Sequence, residues 1–463
     1  MMDCTQAPLR FPPVSGLSVR ADFDGGALSS DFGPLILQGV NRQTGLIDRL
    51  AAAIHDTRHA SYVEHSLPDL LAQRIYQIAC GYADGNDANA LRSDPLFKLG
   101  IGRRPLDEGN DLASASTLCR LENAVTARDI YRLAQALIDA FVASYAKPPE
   151  VIVLDRDHSV DETHGQQAFS FFNRHYNHHC YLPLFVFEGL SGKFITAALR
   201  PGKTPTGAEN AMIMKRVMKA LRAVWPDTRF ILRGDGHFSN PELMQLCLDD
   251  PHSDFIFGVA GNRALTPLAA PYLNKARATH QRRTHNARIT GQMMPPHTRT
   301  YHELDYRAAS WPEGDFRTIL KAEVMARGDN PRFVVTSLTL PNPECIYRDL
   351  YAARGQDENY IKIMKLDLAS DRTSCSDFIA NHLRLYLVCA AYVLHHSLRT
   401  DVLCHTELEK AQPMTVILKL FKLAVKVVQH KDRVKLQLPS HYPFKALMRQ
   451  ITERLFIPKP APG

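Results

Sequence analysis

From about Pro34 to Ala146, apolar residues recur every three or four positions, as in LIDRLAAAIHD, LPDLLAQRIYQIACGYADG and ARDIYRLAQALIDAFVASYA. That period predicts a mostly helical N-terminal region. The thirty or so residues before it are rich in turn formers and read as extended or loosely packed chain. At Pro148 and Pro149 the pattern changes. VIVLDRD (Val151 to Asp157) is short and β-branched, and reads as a buried strand that ends in carboxylates. CYLPLFVFEG and KFITAALRPG, joined at Ser191-Gly192, predict an antiparallel hairpin. A helix from about Ala208 to Val224 follows, then the strand RFILRGD (Arg229 to Asp235), a helix from Pro241 to Leu248 and the strand DFIFGVAG.

A meander of three strands, then helix, strand, helix and strand, is the order of an α/β RNase H-like domain. Between Asp235 and Glu358 lie 122 residues, far more than one connecting helix needs. After the strand ending near Gly261 they carry a basic stretch from Asn274 to His297 containing KARATHQRRTHNAR, and continue with strand-like RTYHELDYRAASW, FRTILKAEVMAR and RFVVTSLTL. The expected organisation is therefore a mostly helical region (residues 1–146), a first part of the RNase H-like domain (147–261), a β-rich insertion (262–345), a second part of that domain (346–400) and a basic C-terminal region (401–463). The run Leu383 to Leu394 is interrupted by Arg384, is too short to span a bilayer and reads as a core helix.

Composition adds little beyond this. A 463-residue chain with 45% hydrophobic residues can bury substantial cores, and a formal charge of +7 permits an anionic partner without demanding one. Nine cysteines without a C-x-x-C pair, and no apolar h-region after Met1, predict reduced thiols in a cytosol. The histidines in NRHYNHHCY (His175, His178, His179, with Cys180) lack a second ligand pair at zinc spacing. Gly202-Lys203 echoes a P-loop, but its first glycine would fall at Ala197, which excludes that motif. The Pro-rich tail IPKPAPG is expected to fray.

The chemistry centres on YAARGQDENYIKIMK (Tyr351 to Lys365). On a helix turning ~100° per residue, Tyr351, Arg354, Glu358 and Lys365 fall within about 60° of one another. Leu350, Ile361, Met364 and Leu368 form an adjacent apolar stripe, so the helix can dock while presenting a phenol, a guanidinium, a carboxylate and an ammonium. A carboxylate flanked by cations suits a site that holds metal ions and phosphate together. Two more acids fit the strand pattern. Asp235 ends its strand between Gly234 and Gly236; on the first strand Asp155 and Asp157 share a face, so periodicity alone leaves both open.

The spacing Y-(2)-R-(3)-E-(6)-K resembles the signature of the DDE transposases of bacterial insertion sequences. THGQQ (Thr163 to Gln167), LRPGKTPTGAE (Leu199 to Glu209), RGDGHF (Arg233 to Phe238) and SDRTSC (Ser370 to Cys375) are similar to strings of the insertion-sequence family numbered thirteen-eighty, over residues 20 to 455 or so. The family pattern of an acid, any residue and Thr/Ser resembles Asp157-His158-Ser159, which favours Asp157. The resemblance implies that Asp157, Asp235 and Glu358 are catalytic and bind two Mg²⁺, replaceable by Mn²⁺, about 3.5–4 Å apart, with Asp155 the alternative to Asp157. It also implies cut-and-paste transposition at terminal inverted repeats. Water cuts one strand, the freed 3′ hydroxyl attacks the opposite strand to form a hairpin, and the hairpin is reopened before the end is joined to target DNA. A homodimer pairing two ends, and a bacterial cytoplasmic location at the nucleoid, follow from the same resemblance.

Expected DNA contacts are Tyr351, Arg354 and Lys365 beside the acids, and Arg282 and Arg283 in the basic stretch. Arg120 is a further candidate, in NDLASASTLCRLENAV, where Ser116, Thr117 and Asn123 would also face a groove; Trp311 is a stacking platform for an extruded base. The other reading is a transposase-derived protein that grips terminal repeats without cutting. The presence of all three acids argues against it.

Overall fold

The computed structural model describes residues 8–457; the first seven residues, Cys4 among them, and the tail from Pro458 onward lie outside the described residues. The chain divides into two compact units, one of Met1–Gln43, Arg58–Cys119 and Ser397–Gly463, the other of residues 44–57 and 120–396. The first unit therefore joins chain ends that a reading in sequence order keeps apart. Its strand Leu28–Ser29 pairs antiparallel with Val425–Gln429, which pairs with Val434–Gln437. Asp31 is almost fully buried there and accepts hydrogen bonds from Lys422 Nζ at 2.6 Å and Tyr82 Oη at 2.7 Å. Gly33 packs so tightly that a Cβ on it would lie 2.6 Å from the Phe421 ring and 2.7 Å from Cys80 Sγ. Ahead of these elements, Leu9–Val14 and Leu17–Ala21 form an exposed hairpin turning at Ser15-Gly16, both at positive φ.

The second unit is built on β1 (Val151–His158), β2 (Leu184–Glu188), β3 (Phe194–Ala198), α1 (Gly207–Val224), β4 (Arg229–Gly234), α2 (Pro241–Leu248) and β5 (Ser253–Val259). The strands lie in the order β3-β2-β1-β4-β5. The first three run antiparallel, whereas β1, β4 and β5 are parallel, with Leu154 opposite Leu232 and Leu232 opposite Phe255. This is the RNase H-like arrangement expected from the element order.

The strands expected to form an insertion subdomain instead lengthen the same sheet. After α3 (Leu265–Thr290) come β6 (His297–Leu304), β7 (Arg317–Met325) and β8 (Arg332–Thr336), and β8 pairs antiparallel with β5 from Ile256↔Thr336 to Val259↔Phe333. The sheet thus has nine strands, counting the short Gly328–Asp329 beside β7. The basic stretch is part of α3, whose Leu265 and Ala269 pack with Leu304, Leu320, Ala322 and Phe333.

Strand alternation assigns the two faces of the sheet. Ile152 and Leu154 point toward α1 and α2, among Met214, Val217, Leu221, Leu243 and Met244. Val153 points the other way, with Ile231, Ile256, Val334, Ile346 and Tyr347. That second face receives the segment around Tyr351. It is not one uniform helix: a π-helical turn (Cys345–Tyr351) passes through a 3₁₀ turn (Ala352–Arg354) into α4 (Gly355–Leu368). The ~100° step holds only from Gly355 onward, so the four-residue stripe is not generated by α-helical geometry alone.

The final helix, α5 (Phe378–Ser397), runs on in π form to Val402. At 25 residues it is long and apolar enough to cross a membrane by length and composition, contrary to the expectation from Leu383 to Leu394. Its most apolar window is 78% buried inside the protein, so it is a core helix.

Candidate active site

Asp155 and Asp157 share a face of β1 but not an environment. Asp155 is fully buried, and its carboxylate takes both Nε and Nη2 of Arg233 on β4, itself only 1% exposed. The same guanidinium donates to the Leu350 carbonyl, just before the 3₁₀ turn. Gly189 lies against this pair so closely that a Cβ there would sit 2.4 Å from Asp155 Oδ2. Asp155 is thus an internal anchor tying β1, β4 and the Tyr351 segment together. Asp157, two residues on, lies near the C-terminal end of β1 and lines a pocket of about 270 Å³.

Asp235 lines the same pocket, with His158, Asn173, His175, Tyr176 and Asn210 among its neighbours. Its carboxylate caps the turn Gly236–Phe238: Oδ1 accepts from the His237 backbone N–H at 2.9 Å, and Oδ2 lies 2.9 Å from His237 Nδ1. Burial, and next the charge of Asp235, push the Asp157 carboxyl up to about 6.

From α4, Glu358 and Asp357 meet Asp157: one oxygen from each lies within 4.8 Å of the others, the one such group among the described residues. Asp357 was not singled out in the sequence, yet a signal existed. Spacings of four, seven and eleven put it on the buried stripe of Ile361, Met364 and Leu368, and a carboxylate on an apolar stripe is a conspicuous exception. Asp357 Oδ1 accepts from the Glu358 backbone N–H at 2.8 Å. Burial, then the charges of Asp155 and Asp157, raise its carboxyl to about 8.

Arg354 stands among these acids, 2.8 Å from Glu358 and 3.7 Å from both Asp157 and Asp357. Burial works against its charge; Asp357, Tyr351 and Asp157 more than offset it and hold the guanidinium above its ordinary range. Tyr351 projects toward β5, where a Cβ on Gly258 would lie 2.5 Å from its hydroxyl. Lys365 turns elsewhere. Its ammonium donates to the Val160 carbonyl and lies 3.9 Å from both Asp161 and Asp371, apart from the acids around Arg354.

The remaining expected DNA contacts are scattered. Arg282 and Arg283 lie exposed on α3, where Arg283 also donates to Thr298 Oγ1 at 3.2 Å. Arg120 is exposed on the helix Ala115–Ala124. Trp311 is not a surface platform. It is 8% exposed, set edge-on to Tyr306 and Phe316 in the core beneath α2, so it is unavailable to an extruded base.

The hard carboxylate oxygens of Asp157, Asp357 and Glu358, with Arg354 among them, fit a divalent cation by their chemistry. A family model described as transposase DDE domain group 1 matches residues 11–459. The chain belongs to this DDE transposase family. No curated protein matches it significantly. Among solved structures it is similar to a cryo-EM structure of piggyBac transposase synaptic complex with hairpin DNA, at a TM-score of 0.41 and 13% identity, covering 93% of this chain and 87% of that one.

Proposed function

We propose that this transposase performs cut-and-paste transposition of a bacterial insertion sequence of the family numbered thirteen-eighty, with Asp157, Asp235 and Glu358 as its catalytic, cation-binding acids. The observation that carries the reading is the convergence of Asp157, from β1, with Glu358, 201 positions later on α4, while Asp235 lines the pocket that Asp157 also lines. Mg²⁺ or Mn²⁺ bound there would supply charge for the attacked phosphate and lower the pKa of the attacking hydroxyl. The protein's own groups do the positioning. Asp357 holds the backbone of Glu358, Asp155 and Arg233 fix β1 against β4, and Arg354 offers a planar pair of donors to a phosphate. Tyr351 orders the turn before Arg354. Hydrolysis at the element's end frees a 3′ hydroxyl, which is the nucleophile of the joining step.

The partners of this chemistry are terminal inverted repeats and target DNA, gripped in part through Arg282, Arg283 and Arg120, with two protomers pairing two ends. Supplying one end or two tests it. Cleavage and joining that require both ends on paired fragments support transposition. Equal cutting of a single end, with no joined product, would make the chain a structure-specific nuclease.

A further inference from the structure

Flat side chains are layered behind the two strand-end aspartates. The Arg156 guanidinium carbon lies 4.8 Å from the ring centre of Phe257 on β5 and 4.7 Å from that of Phe238. His158 stacks on Phe238, with ring centres 5.1 Å apart and planes 4° from parallel. Phe238 therefore touches both chain neighbours of Asp157. By strand alternation Arg156 projects toward the face of Ile152 and Leu154, opposite to Asp157, while His158 reaches the pocket that Asp157 also lines, so the stack grips β1 on both sides of Asp157.

The same ring holds the turn that carries Asp235. The Phe238 backbone N–H donates to the Asp235 carbonyl at 3.1 Å, and Asp235 caps that turn with its own carboxylate. Room for the ring is made by Gly234, where a Cβ would lie 2.8 Å from Phe238.

Arg156 is a costly choice for this place. It is 0% exposed, and none of its three guanidinium nitrogens has a hydrogen-bond partner. An apolar chain of similar length would avoid the desolvation of an unpaired charge, and two aromatic faces offset that only in part. A structural role in the core gives no reason to keep a guanidinium. A planar cation that bonds to ring faces on two neighbouring elements holds both in register as methionine would not.

We infer that Arg156 and Phe238 are positioning residues: their stack sets the separation of Asp157 from Asp235, and with it the spacing of the oxygen donors offered to divalent cations. The inference rests on the reading of those two aspartates as cation ligands. The test is Mn²⁺ binding to the DNA-free full chain by electron paramagnetic resonance, with the melting temperature and the Mg²⁺ midpoint of end cleavage measured alongside.

Arg156→Met is expected to melt at or above the unaltered chain while binding Mn²⁺ about ten-fold more weakly. Its Mg²⁺ midpoint rises by a similar factor, DNA-end binding is unchanged, and Arg156→Lys recovers part of the loss. If Arg156→Met does not fold, Phe238→Leu carries the same measurement. A folded variant whose Mn²⁺ affinity and Mg²⁺ midpoint match the unaltered chain overturns the inference. Should the unaltered chain show no Mn²⁺ binding that Asp157→Asn removes, the ligand reading itself fails, and this inference with it.

Discussion

Arg354 Nη2 lies 2.8 Å from Glu358 Oε1, so the guanidinium of the signature segment stands where a cation held by Glu358 would have to come. Its other amino group is 3.7 Å from Asp157 and from Asp357. One arginine thus offsets part of the charge of the three acids, and a DNA phosphate is expected to draw it away. Arg354→Gln is therefore expected to act in opposite directions on two measurements. Mn²⁺ binding without DNA tightens by about ten-fold as a competing charge is removed, while cleavage falls by roughly a hundred-fold with the loss of the phosphate donors. Weaker Mn²⁺ binding in the variant would contradict this picture.

The two aspartates of β1 are separable by stability. Asp155→Ala leaves Arg233 buried without its partner and is expected to cost about 3–5 kcal/mol in denaturant unfolding. Asp157→Asn removes like-charge repulsion with Asp235 at the strand ends, so it is expected to melt no lower than the unaltered chain yet to abolish cleavage. Unfolding curves and a cleavage assay on both variants decide the assignment. A stable, inactive Asp155→Ala would reverse it.

Asp161 gives the stability a pH dependence. It is 1% exposed, neither carboxylate oxygen has a hydrogen-bond partner, and burial pushes it up to about 8 despite the Lys365 ammonium nearby. Its folded value lies above its unfolded one. The favourable contribution is therefore complete below about pH 4 and is lost as pH rises toward 8. Asp161→Asn, which cannot ionise, should be more stable than the unaltered chain by roughly 1–3 kcal/mol at pH 8 and nearly equal to it at pH 4. An equal difference at both values would exclude Asp161 as the source.

Trp311 is a packing residue, so Trp311→Phe is expected to lower stability by about 1–2 kcal/mol and leave the cleavage rate per folded molecule unchanged. A large fall in rate at full stability would restore a role on the DNA.

The catalytic sheet was legible because each strand is short, β-branched and closed by turn residues; α2 was expected over the very residues it occupies, Pro241–Leu248. Asp157 and Glu358, named from position and signature, do come together in the structure, but Asp357 beside them was not singled out. The distinction between Asp155 and Asp157 could not be read from the sequence, because it depends on Arg233, 78 positions away. Long-range pairing was hidden for the same reason. Nothing local to RFVVTSLTL says that it pairs with β5, or that Val425–Gln429 meets Leu28–Ser29. The pitch change between Cys345 and Gly355 also leaves no periodic trace, since π and 3₁₀ turns there are imposed by docking against the sheet.

Glu358, together with Asp157 and Asp235, is proposed to make this chain a cation-dependent DNA-cutting enzyme. The most direct measurement is cleavage of a labelled fragment carrying the element's own end, in Mg²⁺, by the unaltered chain and by Glu358→Ala, with binding of the same fragment followed in parallel. Cutting is expected to disappear in Glu358→Ala while binding persists. An unaltered chain that binds the end but never cuts it, even with Mn²⁺ and both ends supplied, would contradict it.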